Sequence, residues 1–232
     1  MERAVQALAI CGVVVALLAG CSSTSSSTDT LTSTGSDTVG SGNLATETRA
    51  VGGFNAVSVG GAGHLILERT GVESLQITAE DNLLPLIQSE VVNGELVLGF
   101  VPGVNVRTTR EVLYRVTAAS LAGLSVSGAS RAEAFGISTE ELTSNISGAS
   151  TVTAVGTAAF HRLTISGASN LEAPDLESRD VIANASGASR ALIRVSDTLT
   201  ADASGAALIQ YIGFPVVDDT ATGGAAIQRV EP

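Results

Sequence analysis

The sequence predicts an all-β chain wound as a parallel β-helix, a β-solenoid with about 18 to 20 residues per turn. Three observations carry that expectation. First, the phrase Ser-Gly-Ala-Ser begins at Ser127, Ser147, Ser166 and Ser186, then recurs altered from Ser204 and more loosely from Gly223, with steps of 20, 19, 20, 18 and 19 residues. Second, each phrase follows a short alternating strand such as Leu124-Ser125-Val126 or Leu163-Thr164-Ile165, and alternation resumes after it. Third, every phrase carries a glycine (Gly128, Gly148, Gly167, Gly187, Gly205), the residue that turns sharply at positive φ without a Cβ clash. The step is too short for a two-helix repeat, and the Leu-x-x-Leu-x-Leu frame of leucine-rich repeats is missing.

The phrase is therefore a corner. After it, Ala132 and Ala134, Val152 and Ala154, Leu171 and Ala173, Ala191 and Ile193, and Ile209 and Tyr211 are expected to face inward. Arg131, Glu133, Thr151, Thr153, Asn170 and Glu172 are expected to face solvent. Stacked turns place the serines of successive phrases in columns, with hydroxyl-to-hydroxyl ladders expected along them.

The N-terminus reads as an export and anchoring segment. Met1-Glu2-Arg3, an apolar run from Ala4 to Leu17 and then Leu18-Ala19-Gly20-Cys21 resemble a bacterial lipoprotein signal peptide with its lipobox. That resemblance implies cleavage of residues 1–20 and lipidation of Cys21, with Cys11 discarded and no disulfide left in the mature chain. The competing readings are an uncleaved anchor and an ordinary secretory signal; the apolar run is shorter than the ~20 residues a spanning helix needs. Residues 21–46 are rich in Ser, Thr, Gly and Asp and read as a flexible tether, with O-glycosylation of the Ser/Thr run as the alternative.

The folded domain is assigned to 47–232. Strands are expected at Phe54 to Val59, His64 to Glu68, Ser74 to Ala79, Glu95 to Phe100 and Val112 to Thr117, with Asn93-Gly94 as a tight turn. Gly60-Gly61-Ala62-Gly63 looks like a degenerate corner rather than a phosphate loop, because no Gly-Lys-Ser/Thr or dinucleotide spacing accompanies it. Asp81 to Ile87 is expected to form one short helix in the N-terminal half, capped by Asp81 and covering an end or edge of the solenoid.

Arg49, Phe54, Val57-Ser58-Val59-Gly60, the run from Ala79 to Ile87, Asn93 to Leu98 and the repeated Ser-Gly-Ala-Ser together resemble the "putative auto-transporter adhesin, head GIN domain" family of bacterial envelope proteins. The resemblance implies a right-handed parallel β-helix on a secreted or lipid-anchored protein. It implies no particular chemistry.

Composition narrows function further. A net charge of −11 with a pI near 4.5 argues against nucleic acid or anionic headgroups, which demand clustered Lys and Arg. With 44% hydrophobic residues and only 3% aromatic ones, the core is expected to be aliphatic. Parallel β-helices also carry glycan lyases and hydrolases, so an enzyme is the rival class, and Asp175, Asp180, Asp197, Asp202, Asp218 and Asp219 are its candidate acids. They fall at different places in the repeat, and Asp218-Asp219 reads as a solubility feature. His64 and His161, the two histidines, are both expected on the surface, and no serine sits in Gly-x-Ser-x-Gly. No catalytic, metal or cofactor residue is therefore assigned.

The expected role is a non-enzymatic cell-envelope protein, held to a membrane by lipid on Cys21, that presents a solenoid surface for adhesion or binding. The alternative is a structural spacer or self-assembling module; a glycan-active enzyme comes third. The partners expected are the membrane through the anchor, a surface protein or another copy, and possible glycans, for which Tyr211 and Phe214 form the candidate exposed aromatic pair. Ser22 after the cysteine lacks the aspartate of many inner-membrane lipoproteins, so the outer membrane is expected where there are two.

Overall fold

A computed structural model describes residues 37–231 and shows a β-solenoid of about five turns. Signal segment, Cys21 and the first part of the expected tether lie outside the described residues. The N-terminal half contributes β1 (Thr38–Val39), β2 (Leu44–Arg49), β3 (Ala56–Val59), β4 (Gly63–Arg69), β5 (Ser74–Glu80), β6 (Ile87–Val92), β7 (Glu95–Phe100), β8 (Val106–Arg107) and β9 (Val112–Ala118). The C-terminal half contributes β10 (Gly123–Val126), β11 (Arg131–Ile146), β12 (Thr151–Ile165), β13 (Asn170–Ala185), β14 (Arg190–Ala203), β15 (Leu208–Ile212), β16 (Val216–Ala221) and β17 (Ala226–Arg229).

Each long strand bends midway and so serves two columns. The first half of β11 pairs in parallel with β4, whereas its last four residues pair with β10; β12, β13 and β14 stack below in the same way. The final coil is completed by β15 and β17 in one column and by β16 in the other. β3, the turn at Gly60 to Ala62 and β4 form the first coil, because β10 stacks on β3 and β11 on β4. Between β4 and β10 the chain leaves the repeat to build the N-terminal end. There β6 and β7 form an antiparallel hairpin closed by Asn93 and Gly94, both at positive φ, and the other column continues from β9 through β5, antiparallel to it, to β2, antiparallel to β5.

The corner behaves as its glycine requires. Ala149 N donates to Gly128 O at 2.7 Å, Ala168 N to Gly148 O at 2.8 Å and Ala188 N to Gly167 O at 2.8 Å. Ala129 N reaches Gly61 O at 2.7 Å, which makes the degenerate turn a true member of the stack. A Cβ on Gly148 would sit 2.3 Å from Gly128 O, so the coils approach too closely for any side chain there.

Inside, Ala132, Ala134, Val152, Leu171, Ala173, Ala191, Ile193 and Ile209 are buried, as the alternation predicts. The serine columns are bonded differently from the expectation. Ser130 and Ser150 donate to the carbonyls of Ser127 (2.9 Å) and Ser147 (2.8 Å), and Ser169 donates to Gly148 O at 3.3 Å. The Ser130 and Ser150 hydroxyls thus satisfy corner carbonyls that the turn leaves without a ladder partner, whereas the Ser169 hydroxyl shares Gly148 O with Ala168 N.

Two N-terminal expectations are corrected. Asp81 to Ile87 is a single 3-10 turn, Leu84–Leu86, with no side-chain cap: Pro85 stands at its start, and Asp81 accepts instead from Asn82 N at 2.7 Å and from Ser41 Oγ. Strands also begin earlier than residue 47, since β1 pairs with β8 and β2 with β5 inside the range read as tether. Glu80 holds this strap. Only 1% exposed, it accepts from Gly42 N at 2.7 Å, Thr109 N at 2.9 Å and Thr109 Oγ1 at 2.5 Å. The Thr109 hydroxyl first, then these backbone amides, lower its pKa to about 2. Arg49 braces the other column, donating to Leu84 O at 2.8 Å, Ile87 O at 2.6 Å and Ser89 Oγ at 2.9 Å. Among the described residues no helix is long and apolar enough to cross a membrane.

Candidate functional site

The bends of β11 to β14, together with Gly213-Phe214 between β15 and β16, carry a groove of 980 Å³. Its origin is a second corner that the Ser-Gly-Ala-Ser frame does not mark. Gly136 and Gly156 turn β11 and β12 there at positive φ, and Gly213 turns the last coil; a Cβ on Gly156 would lie 2.1 Å from Ile137 O. β13 turns without glycine, through three residues, Pro174 to Leu176, that find no partner in β14. Arg194 on the next coil compensates by donating from Nε to Pro174 O at 2.6 Å.

Registered stacking then lines up the walls. Ser138, Thr157, Glu177 and Arg194 are direct neighbours on successive coils and point outward. The adjacent column, Thr139, Ala158, Ser178 and Val195, turns its last three members inward as the floor, each no more than 4% exposed. Beyond it stand Glu140, Arg179 and Asp197. Arg179 Nε donates to Asp180 at 2.9 Å, and Asp180 also accepts from Thr198 Oγ1 at 2.6 Å. The Thr198 hydrogen bond, then the Arg179 one, hold the Asp180 carboxyl below its ordinary range. Phe214 closes the C-terminal end of the groove, 85% exposed, with the Arg229 guanidinium 4.3 Å from its ring centroid.

The candidate acids divide between two sides. Asp197 lines the groove, while Asp175 and Asp180 flank it. Asp202 and Asp218 lie on the other column of strands, in register with Asn184 and Thr200. Asp219 pairs with the buried Ala201 and so occupies an inward position on the last coil, where it is exposed at the end of the stack. His64 is half-buried between Glu111 (3.4 Å) and Glu133 (3.3 Å). His161 is corrected: it is 1% exposed, in the inward column of Leu142, Val181 and Leu199. Its Nε2 lies 3.0 Å from Ser144 Oγ, its Nδ1 has no partner among the described residues, and burial lowers its pKa to about 4. Tyr211 packs against the core, so Phe214 alone of the expected aromatic pair is fully presented. Among the described residues no three His, Cys, Asp or Glu side chains converge as a metal site would require.

Glu140, Glu177, Arg179 and Arg194 escaped sequence reasoning because they sit between the two recognisable strands of each repeat. Lone glycines at 136, 156 and 213, outside the repeated phrase, are the signal that marks the bend beneath them.

Comparison with solved structures returns the same solenoid. A putative adhesin from Bacteroides fragilis superposes with a TM-score of 0.68 at 24% identity, covering 83% of this chain and 99% of its own. A putative adhesin from Parabacteroides merdae gives 0.56 at 19% identity (84% and 99% covered). A structure from Parabacteroides distasonis described as a putative lipid binding protein gives 0.52 at 16% identity (83% and 98% covered). At these identities the likeness speaks for the fold. No curated protein matches the chain. A family model matches residues 53–215, from the residue before Phe54 to the end of the groove, and by that match the chain belongs to the family described as "Putative auto-transporter adhesin, head GIN domain".

Proposed function

We propose that this chain is a non-enzymatic, lipid-anchored envelope protein that uses the grooved side of its solenoid as an adhesion or binding surface. The observation that carries this reading is the groove itself, 980 Å³ walled by outward side chains on a ladder whose middle coils, β12 and β13, are paired on both sides. Family membership supports a surface role, and the lipobox ending at Cys21 supports attachment through acyl chains.

The rivals draw less support. A glycosidase needs one carboxyl able to hold a proton, yet Asp180 beside the groove is drawn the other way by Thr198 and Arg179. A self-assembling module that packed its small-residue face on another copy remains the alternative; end-to-end growth from the last coil is opposed by Asp219, whose charge in the inward column there discourages edge pairing.

Beads coated with the full-length protein test the reading. They are expected to bind bacterial or host cell-surface material saturably, and heat-unfolded coats are expected not to; equal binding by both would refute it.

A further inference from the structure

The groove has a chemistry specific enough to name a ligand class. We propose that it binds a neutral oligosaccharide chain, laid across the coils, with Phe214 as the platform for a terminal pyranose ring. This rests on the adhesion reading above and deepens it.

Four features point there. The walls carry groups that bond hydroxyls above a largely apolar floor: Ser138, Thr157, Glu177, Arg179 and Asp197 supply both donors and acceptors on successive coils. From Ser138 through Thr157, Glu177 and Arg194 to Gly213 the groove crosses four coil steps, about 19 Å at the ~4.8 Å strand spacing. That length accommodates several linked sugars rather than one. The third feature is Phe214, whose ring is 85% exposed with Arg229 against it, an arrangement that presents an apolar face to the C–H face of a sugar.

Charge supplies the fourth. Three carboxylates, on Glu140, Glu177 and Asp197, line the groove against two guanidinium groups, and both of those are engaged: Arg179 by Asp180 and Arg194 by Pro174 O. A uronate or sulfated chain would bring more negative charge to a lining in which carboxylates already outnumber guanidinium groups, with Asp180 beside it. An extended peptide is disfavoured for a separate reason. β12 and β13 each pair with a coil on either side, so over the middle coils of the groove no strand edge is open to it. An amphipathic helix would need a row of apolar anchors, and among the described residues that line the groove the large exposed apolar side chain is Phe214.

The test uses full-length protein on a sensor surface, with neutral gluco-, manno- and xylo-oligosaccharides of two to six residues and oligogalacturonate as the anionic probe. Saturable binding of a neutral oligosaccharide is expected, strengthening with chain length. Phe214→Ala should weaken it on the order of tenfold, Phe214→Tyr should restore it, and Asp202→Asn on the other column should leave it unchanged. Phe214 is exposed, so its removal leaves the fold intact. Preference for oligogalacturonate, or neutral binding indifferent to Phe214→Ala, overturns the proposal. Coated beads separate the two levels of inference. Adherence abolished by periodate, which cleaves vicinal diols, supports the glycan. Adherence that survives both periodate and Phe214→Ala keeps the adhesion reading and sinks the glycan one, and absence of adherence sinks both.

Discussion

His161 makes the stability of the solenoid depend on pH in a way that one substitution isolates. The ring lies in the aliphatic column between Leu142 and Val181, with Ser144 Oγ 3.0 Å from Nε2 and nothing on Nδ1. Burial lowers its pKa from 6.5 to about 4, so the folded state prefers the neutral imidazole. Above pH 6.5 neither state is protonated there and the residue leaves stability independent of pH. Between 6.5 and 4 the unfolded chain takes a proton that the folded chain refuses, and stability falls as pH falls; below 4 both states carry it and the loss levels off. At about 1.36 kcal/mol per pH unit the loss reaches about 2.5 kcal/mol at pH 4.5 and about 3.4 kcal/mol at its limit. Carboxylates also titrate in this window, so the measurement is a difference. Urea denaturation of wild type and His161→Leu is followed at pH 7.5 and 4.5, leucine being the residue at the same position one coil earlier. At pH 7.5 the variant loses the partner of the Ser144 hydroxyl, costing about 1 to 3 kcal/mol, partly offset by the added apolar packing. Moving to pH 4.5 should shift the difference by about 2.5 kcal/mol in favour of the variant. A difference that does not move with pH would refute the assignment of His161 to the core.

Glycines at positive φ predict a graded series, two at stacked corners and one, Gly103, in the open turn between β7 and β8. Gly148→Ala, whose Cβ would meet Gly128 O at 2.3 Å, should cost at least about 3 kcal/mol; Gly223→Ala, with 3.0 Å to Gly205 O, should cost less; and Gly103→Ala, at φ +82° with nothing within 4 Å, only the ~1 kcal/mol of the backbone conformation. Equal melting temperatures for the three would mean that close approach of the coils is not what selects glycine. Glu80, with its folded pKa held near 2, stabilises the N-terminal strap above the ordinary carboxylate range, and that contribution drains away as pH falls from about 4.5 towards 2. Glu80→Gln should speed amide exchange at Gly42 and Thr109 at neutral pH while leaving the corner amides protected; unchanged exchange at both sites would contradict the clamp. Cys21→Ser should abolish incorporation of labelled palmitate and release the protein from membranes, and continued membrane partitioning would remove the acyl anchor.

Much of the fold was legible because one frame repeats. The inward pairs at 132/134, 152/154 and 171/173 follow from alternation on either side of a glycine that only a corner explains. The second corner was not, since the coils reach it by unlike means: glycine at 136 and 156, a three-residue insertion at 174 to 176, and a direct step from Ile193 to Arg194 in β14. The groove, which depends on that corner, stayed hidden with it, apart from Asp197 and Phe214. His161 was readable, as it extends inward the alternation of Leu163 and Ile165, but residue type argued for the surface and position for the core. Packing won. β2, Leu-Ala-Thr-Glu-Thr-Arg, has no apolar stripe to betray it; it is a strand because β5 offers an open ladder edge. The helix expected from Asp81 failed because Pro85 and the pull of Asp81 towards residues 41 and 82 leave room for one tight turn.

If the proposed attachment and adhesion hold, the strap held by Glu80 is the part of the described residues that meets force first. On the proposed attachment, tension between the membrane and a surface-bound ligand enters the domain at residue 37. The first hydrogen bonds to bear it join Thr38 to Asn105, Gly40 to Arg107, Ser41 to Asn82 and Gly42 to Glu80. Their rupture would release a short length of chain while the coils and the groove stay folded. The strap is then a mechanical fuse, extending the tether under load and sparing the grip. Pulled by its N-terminus, the protein should show a small, reversible first step that Glu80→Ala eliminates.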